Sequence, residues 1–206
     1  MGYKPKIVIV HSTGTETQEA TNSGYLGSLA KPTYAEAHDL ASAGDVGNNF
    51  DFYCSQLRST TSYFIERGGV IFPVSTGLTV TSATVKLYGL YFETDDGHFD
   101  ATLVDGSDLA DTLVAADYGE LLNEVTSYGL INTANCVTEA WNSIELNATG
   151  LTALKNAIAS GKFRLGLRHS KDISNTAPSA VGDDYAQFYG SNALTGGLFI
   201  PKIIII

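Results

Sequence analysis

The chain predicts an all-β fold, an antiparallel β-sandwich with one or two short helical inserts, on three observations. Apolar residues alternate over short runs bounded by turn residues, most clearly in "TVTSATVKLYGLYFE". The composition favours strands and turns, with 21 glycines, 11 tyrosines and 9 phenylalanines against 12 lysines and arginines together. Alternating strand–helix units are absent, which argues against a parallel α/β enzyme fold. The 206 residues suit a single domain, 1–206, large enough to hold its core without disulfide staples.

In chain order, "KPKIVIVH" reads as a strand, because Ile7, Val8, Ile9 and Val10 all favour extended backbone. Residues 11–62 are rich in Thr, Ser, Gly, Asn and Ala and read as a loop-rich N-terminal segment. It is relieved by a short helix at "TYAEAHDLAS", with Thr33 as N-cap and Glu36 three residues on. "SYFIERGGVIFPV" is a strand in which Gly68-Gly69 suggests a bulge or bend. In the next strand Ala83, Val85, Leu87, Gly89 and Tyr91 share one face, and Thr84, Lys86 and Tyr88 the other. "HFDATLVDG" places Phe99, Ala101 and Leu103 inward. "AWNSIELN" follows, and in "KFRLGLRHS" Phe163, Leu165 and Leu167 face in while Lys162, Arg164 and Arg168 face out. "AQFYGSN" and "GGLFIPKIIII" complete the strands. Leu151, Leu154 and Ile158 recur at helical spacing before Gly161, so "NATGLTALKNAIASGK" is a helix with a C-cap glycine. "DLADTLVAADYGELLNEV" holds a second short helix.

From about Tyr63 onward the chain resembles a jelly-roll, carbohydrate-binding-like module of phage virion and bacterial surface proteins. The phrases that carry the likeness are "ERGGVIFPVSTGLTVTSATVKLYGLYFE", "LVAADYGELL", "WNSIELNATGLTALKNAIASGKFRLGLRHSKDI" and "AQFYGSNALTGGLFIPKIIII". In that family an arginine opens a strand running toward an "FDTS"-like turn. Arg67 and "FPVST" stand there in this chain, without the aspartate. Trp141, Gly150, Gly166, Leu167 and Arg168 match the family's Trp-strand-helix-"GLR" unit. The resemblance covers roughly the last 140 residues and implies a jelly roll with a non-enzymatic, surface-exposed or virion role. Fold does not transfer function, and the first 60 residues carry no such likeness.

Chemistry is sparsely signalled. The net charge of −10 speaks against nucleic acid, whose affinity rests on Lys and Arg neutralising phosphates, and against an anionic membrane surface. No apolar run approaches the roughly 20 residues of a membrane span, and "IVIV" is too short for a signal-peptide core. The expectation is therefore a protein that stays in the cytoplasm that made it, or leaves by lysis or within an assembly. Cys54 and Cys136 read as two separate thiols, with one long-range bridge as the alternative. His11, His38, His98 and His169 match no metal or nucleophile motif and read as surface or loop residues. Glu66 with Glu93, and Glu139 with Glu145, are the carboxylate pairs a glycan-cleaving jelly roll would need about 5–9 Å apart. With 22 acids in the chain such pairs arise by chance, so no catalytic residue is assigned.

Between Lys86 and Lys155 there are 12 acids and no lysine or arginine. The plain reading is a solvated acidic surface. Ca²⁺ binding, with Asp95, Asp96 and Asp100 as weak candidates, and docking against a basic neighbour are the alternatives. "ETDDGHFD" and "VDGSDLAD" lack EF-hand spacing, and no cofactor is expected. Tyr88, on the polar face of its strand, is the candidate for stacking on a glycan; Trp141 reads as a core residue. The sequon at Asn147 reads as coincidence.

The two ends, "YKPKIVIV" and "FIPKIIII", repeat one phrase. A continuous apolar run is expected where both faces of a strand are covered, yet one face of each strand in a two-sheet sandwich normally meets water. Each fully buried isoleucine is worth about 1.5–3 kcal/mol, so several left in solvent would be wasteful and aggregation-prone. Lys6 and Lys202 gate the runs, and Pro5 and Pro201 limit pairing at the strand entries. Ile7, Val8, Ile9, Val10, Ile203, Ile204, Ile205 and Ile206 are thus the candidate interface. The terminal strands are expected to lie close in one sheet or to pair across subunits, against the alternative of full burial within the monomer.

These readings predict a non-enzymatic structural protein of a repeating assembly, such as a phage or virus capsid decoration, minor capsid or fibre component. Its partners would be copies of itself or other assembly proteins, and its place the virion, assembled in host cytoplasm. The alternatives are an extracellular carbohydrate-binding surface module recognising host glycans, and the subunit of a filament or sheath.

Overall fold

The computed structural model describes residues 14–48, 51–191 and 198–206. Ile7, Val8, Ile9, Val10 and His11 lie outside the described residues. The fold is all-β with short helical inserts. Four strands precede the first long one: β1 (Glu16–Glu19), β2 (Asn22–Gly27), β3 (Asp45–Asn48) and β4 (Phe52–Arg58). Then come β5 (Tyr63–Pro73), β6 (Ala83–Thr94), β7 (Asp100–Asp105), β8 (Gly129–Asn132), β9 (Trp141–Glu145), β10 (Lys162–His169), β11 (Gly182–Phe188) and β12 (Lys202–Ile205). All the pairings among them are antiparallel. The order is β1-β12-β6-β11-β4-β5-β10-β7-β8, with β9 added on β6 and the β2–β3 hairpin on β5.

This sheet folds over a main core. Val70 and Phe72 of β5, Phe163, Leu165 and Leu167 of β10, and Ala101 and Leu103 of β7 join Val85 and Leu87 of β6, Ile144 of β9, and Ile203 and Ile205 of β12. The inward faces expected for β7 and β10 are the ones observed. A second, smaller core covers the opposite face of β5: Leu26, Ile65, Val104, Leu109, Leu113, Tyr118 and Leu121.

Strand β5 is where the sheet forks. β2 follows one of its edges from Glu66 to Ile71. Along the other edge β10 takes Gly68–Pro73 and β4 takes Tyr63–Glu66. The Gly68-Gly69 pair forms no bulge there; pairing with β2 and β10 continues through it without a register shift. A Cβ on Gly68 would sit 2.8 Å from the Phe52 ring, and one on Gly69 2.7 Å from Leu113. The glycines let both cores close on the fork.

The loop-rich reading of residues 11–62 is corrected by β1 to β4. Close approach explains the misleading composition: a Cβ on Gly24 of β2 would lie 1.8 Å from the Gly47 carbonyl of β3. This hairpin is built from residues that otherwise signal loops. The first helix, α1 (Tyr34–His38), carries the expected capping box between Thr33 and Glu36. A one-turn helix, α2 (Asp117–Glu120), followed by a 3₁₀ turn over Leu121–Asn123, occupies the second predicted helical stretch. α3 (Ala148–Ala157) buries Leu154, and Gly161 follows with φ of 73°. A further turn, α4 (Ser170–Ile173), directly follows β10.

Two expected facings fail, those of Tyr91 and Trp141, and Arg168 keeps its face but not its exposure, each for a local reason. Ala83, Val85, Leu87 and Gly89 are buried, but Tyr91 is exposed. Gln187 pairs with Tyr91 and Phe188 with Gly89, so Leu90 is an extra residue that reverses the phase of β6 and turns Phe92 toward the core. In β9, Asn142 and Ile144 point inward, which places Trp141 on the outer face at 39% exposure. Arg168 does face away from the main core, yet it is fully buried because the second layer covers that side. His38 and His169 are likewise buried; His98 is exposed. Cys54 and Cys136 are both free thiols. No helix among the described residues is long and apolar enough to cross a membrane.

The four terminal isoleucines alternate after all. β12 lies inside the sheet, between β1 and β6. Ile203 and Ile205 point into the core, Ile204 is half-buried on the outer face, and Ile206 is 56% exposed. Half of this run is thus shielded by its own chain, and only Ile204 and Ile206 remain available to a neighbour.

Candidate functional surface

The most polar part of the interior is a structural node. Arg67 of β5 donates from Nε and Nη2 to the Asp172 carboxylate at 3.0 and 2.8 Å, and from Nη1 and Nη2 to the carbonyls of Tyr118 and His38. Its guanidinium lies 4.1 Å from the Tyr118 ring centroid. Arg168 of β10 donates from Nε to the same carboxylate at 2.7 Å and from Nη1 to the carbonyls of Leu122 and Glu124. All three charged side chains are fully buried. Burial would push the Asp172 carboxyl up, but the two guanidiniums outweigh it and hold it well below the ordinary carboxylate range. Two arginines singled out in the sequence therefore meet on one aspartate, tying β5, β10, α1, α2 and α4 together. With every charge sealed from solvent, the node holds the fold and offers no place for a substrate.

A second group surrounds His169. Its Nδ1 accepts from the Lys171 backbone N–H, so Nε2 carries the proton, 3.7 Å from Asp184 Oδ2. The ring stacks on Phe99 with centroids 3.8 Å apart. Burial pushes this imidazole below its ordinary value, and Asp184 only partly opposes that. The folded state thus takes up the proton less readily than the unfolded chain, and stability present above about pH 6.5 is lost as pH falls, at up to about 1.4 kcal/mol per pH unit. Urea unfolding at pH 7.5 and 5.5 should show that loss for the parent chain and a smaller one for His169→Gln. Equal losses would refute the assignment.

The weak Ca²⁺ candidates do not converge. Asp96 is held by Lys171 Nζ at 2.7 Å and by the backbone N–H and hydroxyl of Ser179. Asp100 accepts from Asn132 Nδ2, and Asp95 from the Asp183 N–H. No group of three or more His, Cys, Asp or Glu among the described residues has metal-binding geometry. The carboxylate pairs are no closer to a catalytic arrangement. Glu66 and Glu93 stand on β5 and β6 with β4 and β11 between them, about 14 Å at the usual strand spacing. Glu145 ends β9, and Glu139 precedes its start. Asn147 of the sequon is spent as the N-cap of α3, accepting from the N–H groups of Thr149 and Gly150.

Tyr88 is where the surface becomes distinctive. It pairs with Trp141 across β6 and β9 and meets that ring edge-on at 5.5 Å. Phe199 stacks on Tyr88 at 3.9 Å, and Tyr189 lies 5.8 Å from Tyr88 and 5.3 Å from Phe199. The Tyr88 hydroxyl donates to the Glu139 carbonyl at 2.7 Å, which fixes the ring. Lys202 Nζ sits 5.1 Å from the Trp141 centroid, and Lys86 reaches Ser143. Val137 and Leu198 flank the cluster at 56% and 69% exposure. Ile204 is two residues beyond Lys202 on the same outer face of β12.

Sequence reasoning found Tyr88 but placed Trp141 in the core and passed over Tyr189 and Phe199. The overlooked signal lies in "YAQFYG", where Tyr185, Gln187 and Tyr189 alternate with the buried Ala186 and Phe188. Neither a family model nor a curated protein matches this chain.

Proposed function

We propose that the protein is a non-enzymatic structural subunit of a repeating assembly, a capsid decoration, minor capsid or fibre component of a virus or phage particle assembled in host cytoplasm. The observation that carries this reading is the Tyr88–Trp141–Tyr189–Phe199 cluster, in which Trp141 is exposed and the other three rings are half-buried, with the exposed Val137 and Leu198 beside it and the half-buried Ile204 farther along the same outer face. Contiguous exposed apolar surface marks a contact site, and Trp and Tyr dominate the energetics of such contacts. A ring already held by its hydroxyl, as Tyr88 is, loses little conformational freedom when a neighbour packs on it. The jelly-roll likeness of the last 140 residues points the same way. In light scattering after size exclusion, the parent chain should form oligomers that grow with concentration. Trp141→Ser combined with Ile204→Lys should leave a folded monomer. A parent chain that stays monomeric at hundreds of micromolar would end the proposal.

A second reading, an extracellular carbohydrate-binding module, is favoured by one detail: the partly exposed Trp141 ring lies beside Lys86, Ser143 and Lys202, a mixed polar rim suited to sugar hydroxyls. Under it the parent chain stays monomeric and binds a glycan array, and Trp141→Ser abolishes that binding.

A further inference from the structure

A second aromatic run lies on the outer face of β2, β4, β11 and β6. Tyr25 stacks on Tyr53 with centroids 4.4 Å apart; Tyr53 lies 5.1 Å from Tyr185, and Tyr185 lies 6.2 Å from Tyr91. The registers dictate this row. Tyr53 and Tyr91 both pair with Gln187, while Ser55 and Glu93 both pair with Tyr185, so all these side chains share one face. Carboxylates line the row throughout. Asp45 accepts from the Tyr25 hydroxyl at 3.1 Å, Glu66 from Ser55 at 2.7 Å, Glu93 from the Tyr91 hydroxyl at 2.7 Å, and Asp51 from Gln187 at 2.6 Å. Asp183 and Asp95 stand at the Glu93 end. None of these six acids takes part in the ion pairs found among the described residues. Other acids of the molecule do find cations, as Asp111 does with Lys162 and Arg164, and Asp96 with Lys171. Solvent reaches the row at its two ends, where Tyr91 is 48% exposed and Asp45 and Asp95 are exposed; Tyr25 and Tyr185 are half-buried, and Tyr53 is buried beneath Tyr25 and supports the face from within.

We propose that this tyrosine-and-carboxylate face is a docking surface for a cationic segment of a partner protein, a strand or loop that presents lysine or arginine side chains. Ring faces attract ammonium and guanidinium groups through their quadrupoles. Carboxylates already held in place by tyrosine, serine and glutamine donors meet those groups without further ordering. A phosphate, a uronate or any other anion is repelled by the same six acids. The surface is distinct from the Trp141 cluster, whose role is read from oligomer mass, so either assignment can fail without the other.

The test is fluorescence anisotropy of a fluorescein-labelled hexa-arginine peptide titrated with the full chain at low and at 0.3 M salt. Saturable binding that weakens with salt is expected. Tyr91→Ala combined with Glu93→Gln should weaken it about tenfold, and Glu93→Gln alone should weaken it less. Asp108→Asn combined with Glu120→Gln removes two charges elsewhere and should leave binding within about twofold. Three results overturn the proposal: absence of saturable binding, equal weakening by the two double variants, or binding of a neutral oligosaccharide, in place of the peptide, that Tyr91→Ala removes.

Discussion

Asp172→Asn is expected to lower the free energy of unfolding by about 3–5 kcal/mol, because removing one partner of a buried ionic group leaves uncompensated charge. Against a typical total of about 5–15 kcal/mol, this is a large share of the stability for a change that keeps the side chain's shape. Both guanidiniums would keep their carbonyl acceptors, but each would lose its bond to an ionised oxygen. The chain-level consequence is loosening of β5 against β10 and of the helical turns that cover them. Chemical denaturation with an unchanged denaturant slope would give the number directly. A loss below about 1 kcal/mol would mean that the node contributes no more than an exposed ion pair. The same carboxylate contributes to acid sensitivity. Its pKa is depressed in the fold, so its stabilisation is complete above the ordinary carboxylate range and is lost as pH falls below about 4.

The second large effect concerns the final isoleucines. Ile205→Ala should cost about 2–5 kcal/mol, the usual range for truncating a buried aliphatic side chain. Ile206→Ala, one residue on, should stay within about 0.5 kcal/mol. The difference follows from parity: Ile205 lies opposite Ala83 with its side chain in the main core, whereas Ile206 is mostly exposed. Its backbone still matters, because Thr81 donates to the Ile206 carbonyl, but alanine preserves that bond. Thermal melts of the two variants side by side would decide the matter. Equal losses would mean that the strand has no inward and outward face.

Much of the fold was legible because local pattern and tertiary environment agree. Ala83, Val85 and Leu87 alternate and face one core; Thr33 and Glu36 cap a helix; Leu154 and Gly161 bracket another. Legibility failed where a residue's partner lies far along the chain. Gly24 and Gly47 look like loop residues until they are seen to be in contact. Arg168 was assigned the correct face, but that face carries a second core, which alternation along one strand cannot report. The extra residue in β6 reverses the side on which Tyr91 emerges, and nothing in "YGLYFE" except Gly89 hints at it. The candidate surface was half visible. Tyr88 could be assigned from its strand phase, whereas Trp141, Tyr189 and Phe199 join it only through pairings that no single stretch of sequence contains.

The position of β12 bears on how this molecule reaches its native state. Glu16 pairs with Ile205, and Ala83 with the same residue from the other side, so the edge strand near one end of the described chain has its ladder partner near the other. Such a closure can form only after nearly the whole polypeptide has been drawn together. Topologies of this kind carry high contact order and fold slowly. Until Ile203 and Ile205 are seated, β6 presents an open edge beside unburied aliphatic side chains, the arrangement most prone to pairing with the wrong molecule.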